Sequence, residues 1–211
     1  MNILSLNIGK AQDLTTENGE TYRSAIMKQA VTEPLRLEEL GFIGDEQANL
    51  EYHGGPHKAV CVYSYDRYPH WEQLSGRKLS MPAFGENITI EGWNEEQVHV
   101  GDIFRLGEAV VQISQPRQPC QKISYRQNWQ DLTKQVLDTH YTGYYLRVLE
   151  AGMVDPSGQL ILLEKDPAAM TVHEATDIMF FQTKSREATE KLLAVKALSP
   201  NWRERLEKRL V

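Results

Sequence analysis

The sequence predicts a mainly β protein: a β-barrel or closed, twisted sheet with helical insertions and a small C-terminal three-helix appendage. Three observations predict it. From Met1 to about Glu164 the apolar segments are short, rich in β-formers and separated by turn residues. Two stretches with helical spacing, Asp66–Leu74 and Asn128–Thr139, interrupt that pattern. After Asp166-Pro167 the texture changes to three closely spaced helical segments.

Taken in order, strands are expected at Ile3–Ile8, Val60–Tyr65, Ile88–Ile90, Ile103–Leu106, Ala109–Ser114 and Leu160–Leu163. Gly101-Asp102 and Gly107-Glu108 punctuate an antiparallel run from Val98 to Ser114, with a tight turn at the second pair. In the first inserted helix Trp71 and Leu74 face the core, and Ser75-Gly76 ends it. In the second, Trp129, Leu132, Val136 and Leu137 recur at helical spacing. Thr171-Val172-His173-Glu174 is a capping-box pattern that opens a helix to about Phe180. Ser185-Arg186-Glu187-Ala188 opens the next, carrying Leu192, Leu193 and Val195. Ser199-Pro200 sets a cap and an N1 proline before the third, with Trp202, Leu206 and Leu210 on one face. The expected division is residues 1–166 for the strand-rich unit and 167–211 for the helices.

At 211 residues the chain can hold one full domain with a small appendage. No apolar run approaches the roughly 18 residues that cross a bilayer, so no membrane partner is expected. The opening Met1–Gly9 lacks a basic n-region and reads as a first strand, so the expected location is cytoplasmic. A net charge of −6 argues against a nucleic-acid partner but leaves room for a local basic pocket for a phosphorylated small molecule. The two cysteines, Cys61 and Cys120, are too few for a disulfide scaffold and lack CxxC spacing. Both are expected as free thiols.

Cys120 draws the most attention. It follows the strand ending at Ser114 and two prolines, Pro116 and Pro119, which should stop the strand and stiffen the turn. Arg117 and Lys122 flank it, and cationic neighbours favour the thiolate, which is both the nucleophile and the metal ligand. The plainer reading is a buried cysteine that happens to sit in a turn. Cys61, in the apolar run Ala59–Tyr63, reads as a small core hydrophobe. A second constellation runs from Gly44-Asp45-Glu46-Gln47-Ala48 to His53-Gly54-Gly55-Pro56-His57-Lys58. Its glycines permit close backbone approach, and His53 and Lys58 supply groups for an anion. Asn87, in Phe84-Gly85-Glu86-Asn87, offers amide donors and an acceptor for a heterocycle edge, or serves a turn. Tyr144, Tyr145 and Arg147 either line a pocket or pack on the barrel.

These segments, with Gly101-Asp102, Pro116-Arg117-Gln118-Pro119-Cys120 and Gly143-Tyr144-Tyr145-Leu146-Arg147-Val148, occur in the order seen in MOSC domains, which the chain resembles. This is the domain type at the C-terminus of molybdenum cofactor sulfurases and in the mitochondrial amidoxime-reducing component. The helical tail resembles the extension of the stand-alone, YiiM-like bacterial branch, so the resemblance covers essentially the whole chain. It implies a barrel of the pyruvate-kinase type and a molybdenum cofactor, a pterin-bound molybdenum ligated by Cys120. It also implies reduction of small N-hydroxylated compounds, hydroxylated purine bases among them, with electrons from a separate reductase, a flavoprotein. No GxGxxG follows any expected strand, which agrees with an external donor; pyridoxal phosphate is not expected.

On chemical grounds, soft thiolate ligation by Cys120 suits such a metal. Arg117, His53 and Lys58 are candidates for the pterin phosphate, with the backbone N–H groups of Gly54 and Gly55. Asn87 would contact the pterin or orient the substrate; Tyr145 and Arg147 are candidates for the pocket wall. Two other readings stay open: a non-catalytic carrier of the cofactor or its sulfur, and a thiol hydrolase using Cys120 with His53 or His99 as base. The tail helices are open to packing on the barrel, docking a reductase or forming a homodimer contact, with core packing the default.

Overall fold

The computed structural model describes residues 1–211. Thirteen strands form in chain order. They are β1 (Ile3–Ile8), β2 (Gln12–Thr15), β3 (Thr21–Ser24), β4 (Gln29–Ala30), β5 (Leu35–Glu38), β6 (Gly41–Phe42) and β7 (Val60–Ser64). Then follow β8 (Ile88–Ile90), β9 (Ile103–Leu106), β10 (Ala109–Pro116), β11 (Tyr144–Glu150), β12 (Gly152–Val154) and β13 (Leu160–Glu164). The α-helices are α1 (Leu50–His53), α2 (Tyr68–Ser75), α3 (Lys122–Gln127), α4 (Leu132–Asp138), α5 (Val172–Phe180), α6 (Arg186–Leu193) and α7 (Pro200–Glu207).

Eight strands make the main sheet in the order β13-β9-β10-β11-β7-β8-β1-β4, antiparallel except for β7 beside β8. The sheet curls, so that Asn2 at the start of β1 bridges Gln159 ahead of β13. Beyond that bridge no ladder joins its ends, so the sheet curls round without completing a barrel's ladder. β12-β5-β6 and the β2–β3 hairpin are separate, smaller sheets.

The expected strands form where β-branched and aromatic residues cluster, with β9 and β10 joined at Gly107-Glu108. Four expectations need correction. Only part of Val98–Asp102 belongs to the antiparallel run: Gly101 N–H donates to Ile113 O at 2.8 Å and Ile113 N–H to Asp102 O at 3.0 Å, whereas Val100 N–H donates to Met170 O and Val172 N–H to Val98 O, so Val98–Val100 pairs with the entry to α5. The prolines do not stop β10 at Ser114, because Pro116 still pairs with Tyr144 at the end of the strand, where no ladder donor is required. The second inserted helix is broken: Asn128 adopts a left-handed conformation (φ 47°) that caps α3 before α4 begins. In α2 the core-facing residues are Tyr68 and Trp71, and Leu74 is exposed.

The tail helices start where expected. Thr171 accepts from Glu174 N–H and Ser185 from Ala188 N–H, satisfying helix N-termini. Ser199 instead spends its hydroxyl on Gln115 Oε1 at 2.7 Å. Trp202, Leu206, Leu192 and Val195 join the same buried cluster as Leu6, Val60 and Phe104 of the sheet. Sheet and helices therefore share one core. Leu210 lies beyond α7 and is half-buried.

Candidate active site

The candidate site is built where β10 ends. Gln115 and Cys61 both register with Tyr145, which sets the three residues in a row across β10, β11 and β7. The row depends on Gly143, whose φ of +71° and position 2.4 Å (as Cβ) from Val62 O leave no room for a side chain. Arg117 N–H then donates to Gly143 O at 3.0 Å, and the chain turns through Gln118-Pro119. Cys120 O accepts from Ile123 N–H at 3.0 Å and from Thr133 Oγ1 at 3.2 Å, tying the turn to the start of α3. Cys120 is a free, half-buried thiol at this strand-to-helix junction.

Cys120 lines an inner cleft of about 80 Å³ together with Cys61, Tyr145, Arg117, His53 and Lys58. The opposite wall is a buried ion pair: the Asp45 carboxylate receives the Lys28 ammonium, Gly9 N–H at 2.8 Å and Asn87 Nδ2 at 2.8 Å. A buried carboxylate holds its place only with its lone pairs satisfied, as those of Asp45 are here. Asn87 is equally committed. Its Oδ1 accepts from Cys61 N–H at 3.1 Å, and its Nδ2 also donates to Asn7 O at 3.2 Å. Asn87 therefore lines the cleft as a brace, with both amide hydrogens spent on protein.

Arg117 is different. Its Nη2 donates to Phe84 O at 2.7 Å, while Nη1 is buried without any partner in the protein. The residue is 7% exposed. Burial works against its charge, but Cys61, Tyr145, Cys120 and Glu86 nearby outweigh that and hold the guanidinium firmly protonated. A buried, half-used guanidinium beside a thiol is a binding group awaiting an anion or acceptor.

Further nitrogen groups, His53 and Lys58, stand around it. His53 closes α1, whose N-cap Asn49 accepts from Tyr52 N–H at 3.1 Å. Burial, then Arg117, Lys122 and Lys58, push the His53 imidazole down to about 4, so it is neutral at pH 7. Burial also lowers the Lys58 ammonium, whose Nζ donates to Tyr52 O at 2.7 Å. Burial raises the Tyr145 hydroxyl above its ordinary range, keeping its proton on Oη.

Four expected residues lie elsewhere. Gly54 N–H is spent on Leu50 O at 3.2 Å, and neither Gly54 nor Gly55 lines the cleft. Arg147 turns toward the tail helices and donates from Nη2 to Ala197 O. His99 is held by Asp102 at 3.0 Å, away from Cys120, and His53 is too weak a base near pH 7 to favour a thiol hydrolase.

An outer groove of about 430 Å³ continues from the cleft, sharing His53, Lys58, Cys120 and Tyr145 with it. This is within the size range of small-molecule pockets. Its far wall is α7, through Asn201, Trp202 and Arg205. Sequence reasoning missed this wall, the Lys28–Asp45 pair and the cleft-facing side of Cys61. Pairing of segments far apart in the chain creates all three, and no local spacing announces them.

No group of three or more His, Cys, Asp or Glu side chains could hold a metal ion, so a metal at Cys120 would need ligands brought by another group. The donor set fits such a group: one soft sulfur, an unpartnered buried guanidinium and further cationic residues for a phosphate.

Comparison with known proteins follows the same outline. A family model described as MOSC domain matches residues 49–159, and one described as YiiM-like, 3-alpha helix domain matches residues 170–210. The chain is 46% identical to the uncharacterized protein YflK of Bacillus subtilis, over 95% of this chain and 90% of that one. It is 37% identical to protein YiiM of Escherichia coli, over 88% of this chain and 84% of that one. A protein named "Reductase" from Gibberella moniliformis is 34% identical over 70% of this chain but 27% of its own length. The crystal structure of YiiM from Geobacillus stearothermophilus superposes with a TM-score of 0.85 at 34% identity, covering 99% of this chain and 98% of that one.

Proposed function

Since the chain belongs to the MOSC family and carries its YiiM-like three-helix extension, we propose that it is a molybdenum-cofactor-dependent reductase of small N-hydroxylated compounds, hydroxylaminopurines among them. Electrons would come from a separate flavoprotein reductase. In this reading residues 1–166 are the MOSC unit, residues 167–211 its extension, and the curled sheet is the family's barrel. The observation that carries the proposal is the partnerless Nη1 of buried Arg117, beside the Cys120 thiol in a cleft gathered from cationic residues.

When bound, the cofactor supplies a two-electron metal centre that removes oxygen from an N–OH group, leaving an amine and water. The chain's own part is binding and positioning. Cys120 as thiolate is the protein ligand to the metal. Arg117, with Lys58 and neutral His53, holds the pterin phosphate through charge-assisted hydrogen bonds. Asn87 keeps Cys61 and Asp45 in register, so the cleft wall does not move under load. Tyr145 Oη keeps its proton and would donate it to a group bound in the cleft. The MOSC relatives and the distant reductase support oxidoreductase chemistry.

The test is expression in a host that makes the cofactor, with molybdenum per chain and reduction of 6-hydroxylaminopurine by a flavoprotein donor measured for wild type and Cys120→Ser. Wild type should retain molybdenum and turn over, and Cys120→Ser should lose both. A wild type without molybdenum, or a variant that behaves identically, refutes the proposal. Metal without turnover makes the protein a carrier.

A further inference from the structure

The outer groove differs in character from the cleft it opens into. Lys58 and Arg205 line it, His53 sits where it meets the cleft, and no carboxylate lines it, on a chain whose net charge is −6. Both cations have donors to spare: Lys58 Nζ spends one on Tyr52 O, and Arg205 spends Nη1 on Gln118 Oε1 at 3.0 Å. The amides of Gln115, Gln118 and Asn201 share the groove, and the exposed ring of Tyr52 stands at its side.

The α7 wall is also rigidly set. Ser199 N–H donates to Ser114 O at 3.0 Å, Ser199 Oγ bonds Gln115, and Arg205 holds Gln118 two residues before Cys120. Trp202, 1% exposed, anchors α7 to the common core. The extension is therefore built into the approach to Cys120. An aromatic ring, amides and a guanidinium with donors to spare, with no acid among them, form a receptor for a heterocycle that carries an anionic group.

We propose that the outer groove is a substrate subsite for a nucleoside monophosphate, its phosphate held by Arg205 on the α7 wall and its base directed toward Cys120, with Lys58 left to the cofactor's phosphate. This rests on the reading of the Cys120 cleft as the reaction centre, and it narrows the substrate class from free bases to phosphorylated ones. The extension then supplies specificity, with Arg205 the residue that reads the phosphate.

Calorimetric titration of the full chain with adenosine 5′-monophosphate, adenosine and inorganic phosphate tests it, with and without molybdenum cofactor bound. The monophosphate should bind at least about tenfold more tightly than adenosine or inorganic phosphate, in both forms of the protein. Arg205→Gln should erase most of that advantage while leaving adenosine binding unchanged, and Arg205→Lys should restore part of it. Four results overturn the proposal: equal binding of monophosphate and adenosine, inorganic phosphate binding as tightly as the monophosphate, an Arg205→Gln protein that binds like wild type, or monophosphate binding lost once cofactor is loaded. The last assigns the groove to the cofactor's own phosphate. The cofactor-free titration needs no metal, so its failure leaves the Cys120 reading intact. Conversely, a chain that never takes up molybdenum yet selects the monophosphate refutes that reading alone.

Discussion

Replacing Asn87 by leucine separates a brace from a ligand-reading residue. The side chain makes three buried hydrogen bonds, from Cys61 N–H at 3.1 Å, to Asn7 O at 3.2 Å and to the Asp45 carboxylate at 2.8 Å. Leucine fills nearly the same volume and makes none of them. Each neutral bond contributes about 1 kcal/mol and the bond to a charged carboxylate about 1.5–3 kcal/mol, while a stranded buried N–H at Cys61 adds its own desolvation cost. The expected loss is about 3–5 kcal/mol, read as a lower midpoint in urea unfolding at unchanged slope. For a chain of this size that is a fall in Tm of roughly 10 °C. Asn87→Asp should do worse as pH rises through the carboxylate range, because a second negative charge then faces Asp45. A loss below about 1 kcal/mol for Asn87→Leu refutes the brace.

Arg117→Met should leave stability nearly unchanged, since it removes a buried, partly unpartnered charge, yet abolish molybdenum retention; a large fall in Tm would make Arg117 a structural residue. His53, pushed from 6.5 to about 4 on folding, makes the unfolded chain bind more protons between those values. Its contribution is therefore complete above pH 6.5 and is lost as pH falls toward 4, and His53→Gln should flatten the stability profile in that window. An NMR titration of the His53 ring with a midpoint near 6.5 would contradict this. Trp202→Ala should cost about 3–5 kcal/mol in a single transition seen alike by near- and far-ultraviolet circular dichroism; a separate early melting of the tail helices would refute the shared core.

Two of the strands that sequence reasoning found are buried on both faces. Val60–Ser64, with all five residues buried, and Ile88–Ile90 announce themselves by β-branched and aromatic content. Two strands it passed over, Gln12–Thr15 and Gln29–Ala30, are almost wholly exposed and held by pairing rather than by apolar content, while Gly41–Phe42 is buried but only two residues long. The Gly-Gly turn raised an expectation of backbone donors that α1 removes by consuming Gly54 N–H. Cys120, Arg117, His53, Lys58 and Tyr145 were legible as residues, and the fold does gather them in one cleft. Their counterparts on α7 were not, because nothing in Asn201 or Arg205 themselves points to a turn more than 80 residues earlier in the chain.

The shared core also sets a schedule for synthesis. The last strand of the main sheet ends at Glu164, but the hydrophobic face that Trp202 covers stays open until translation has passed that residue. At roughly 5–20 residues per second the nascent sheet waits about 2–8 s with that apolar surface bare. Over that interval the growing chain is a natural client for a holding chaperone, and slowed elongation between Glu164 and Trp202 would lengthen its exposure to aggregation.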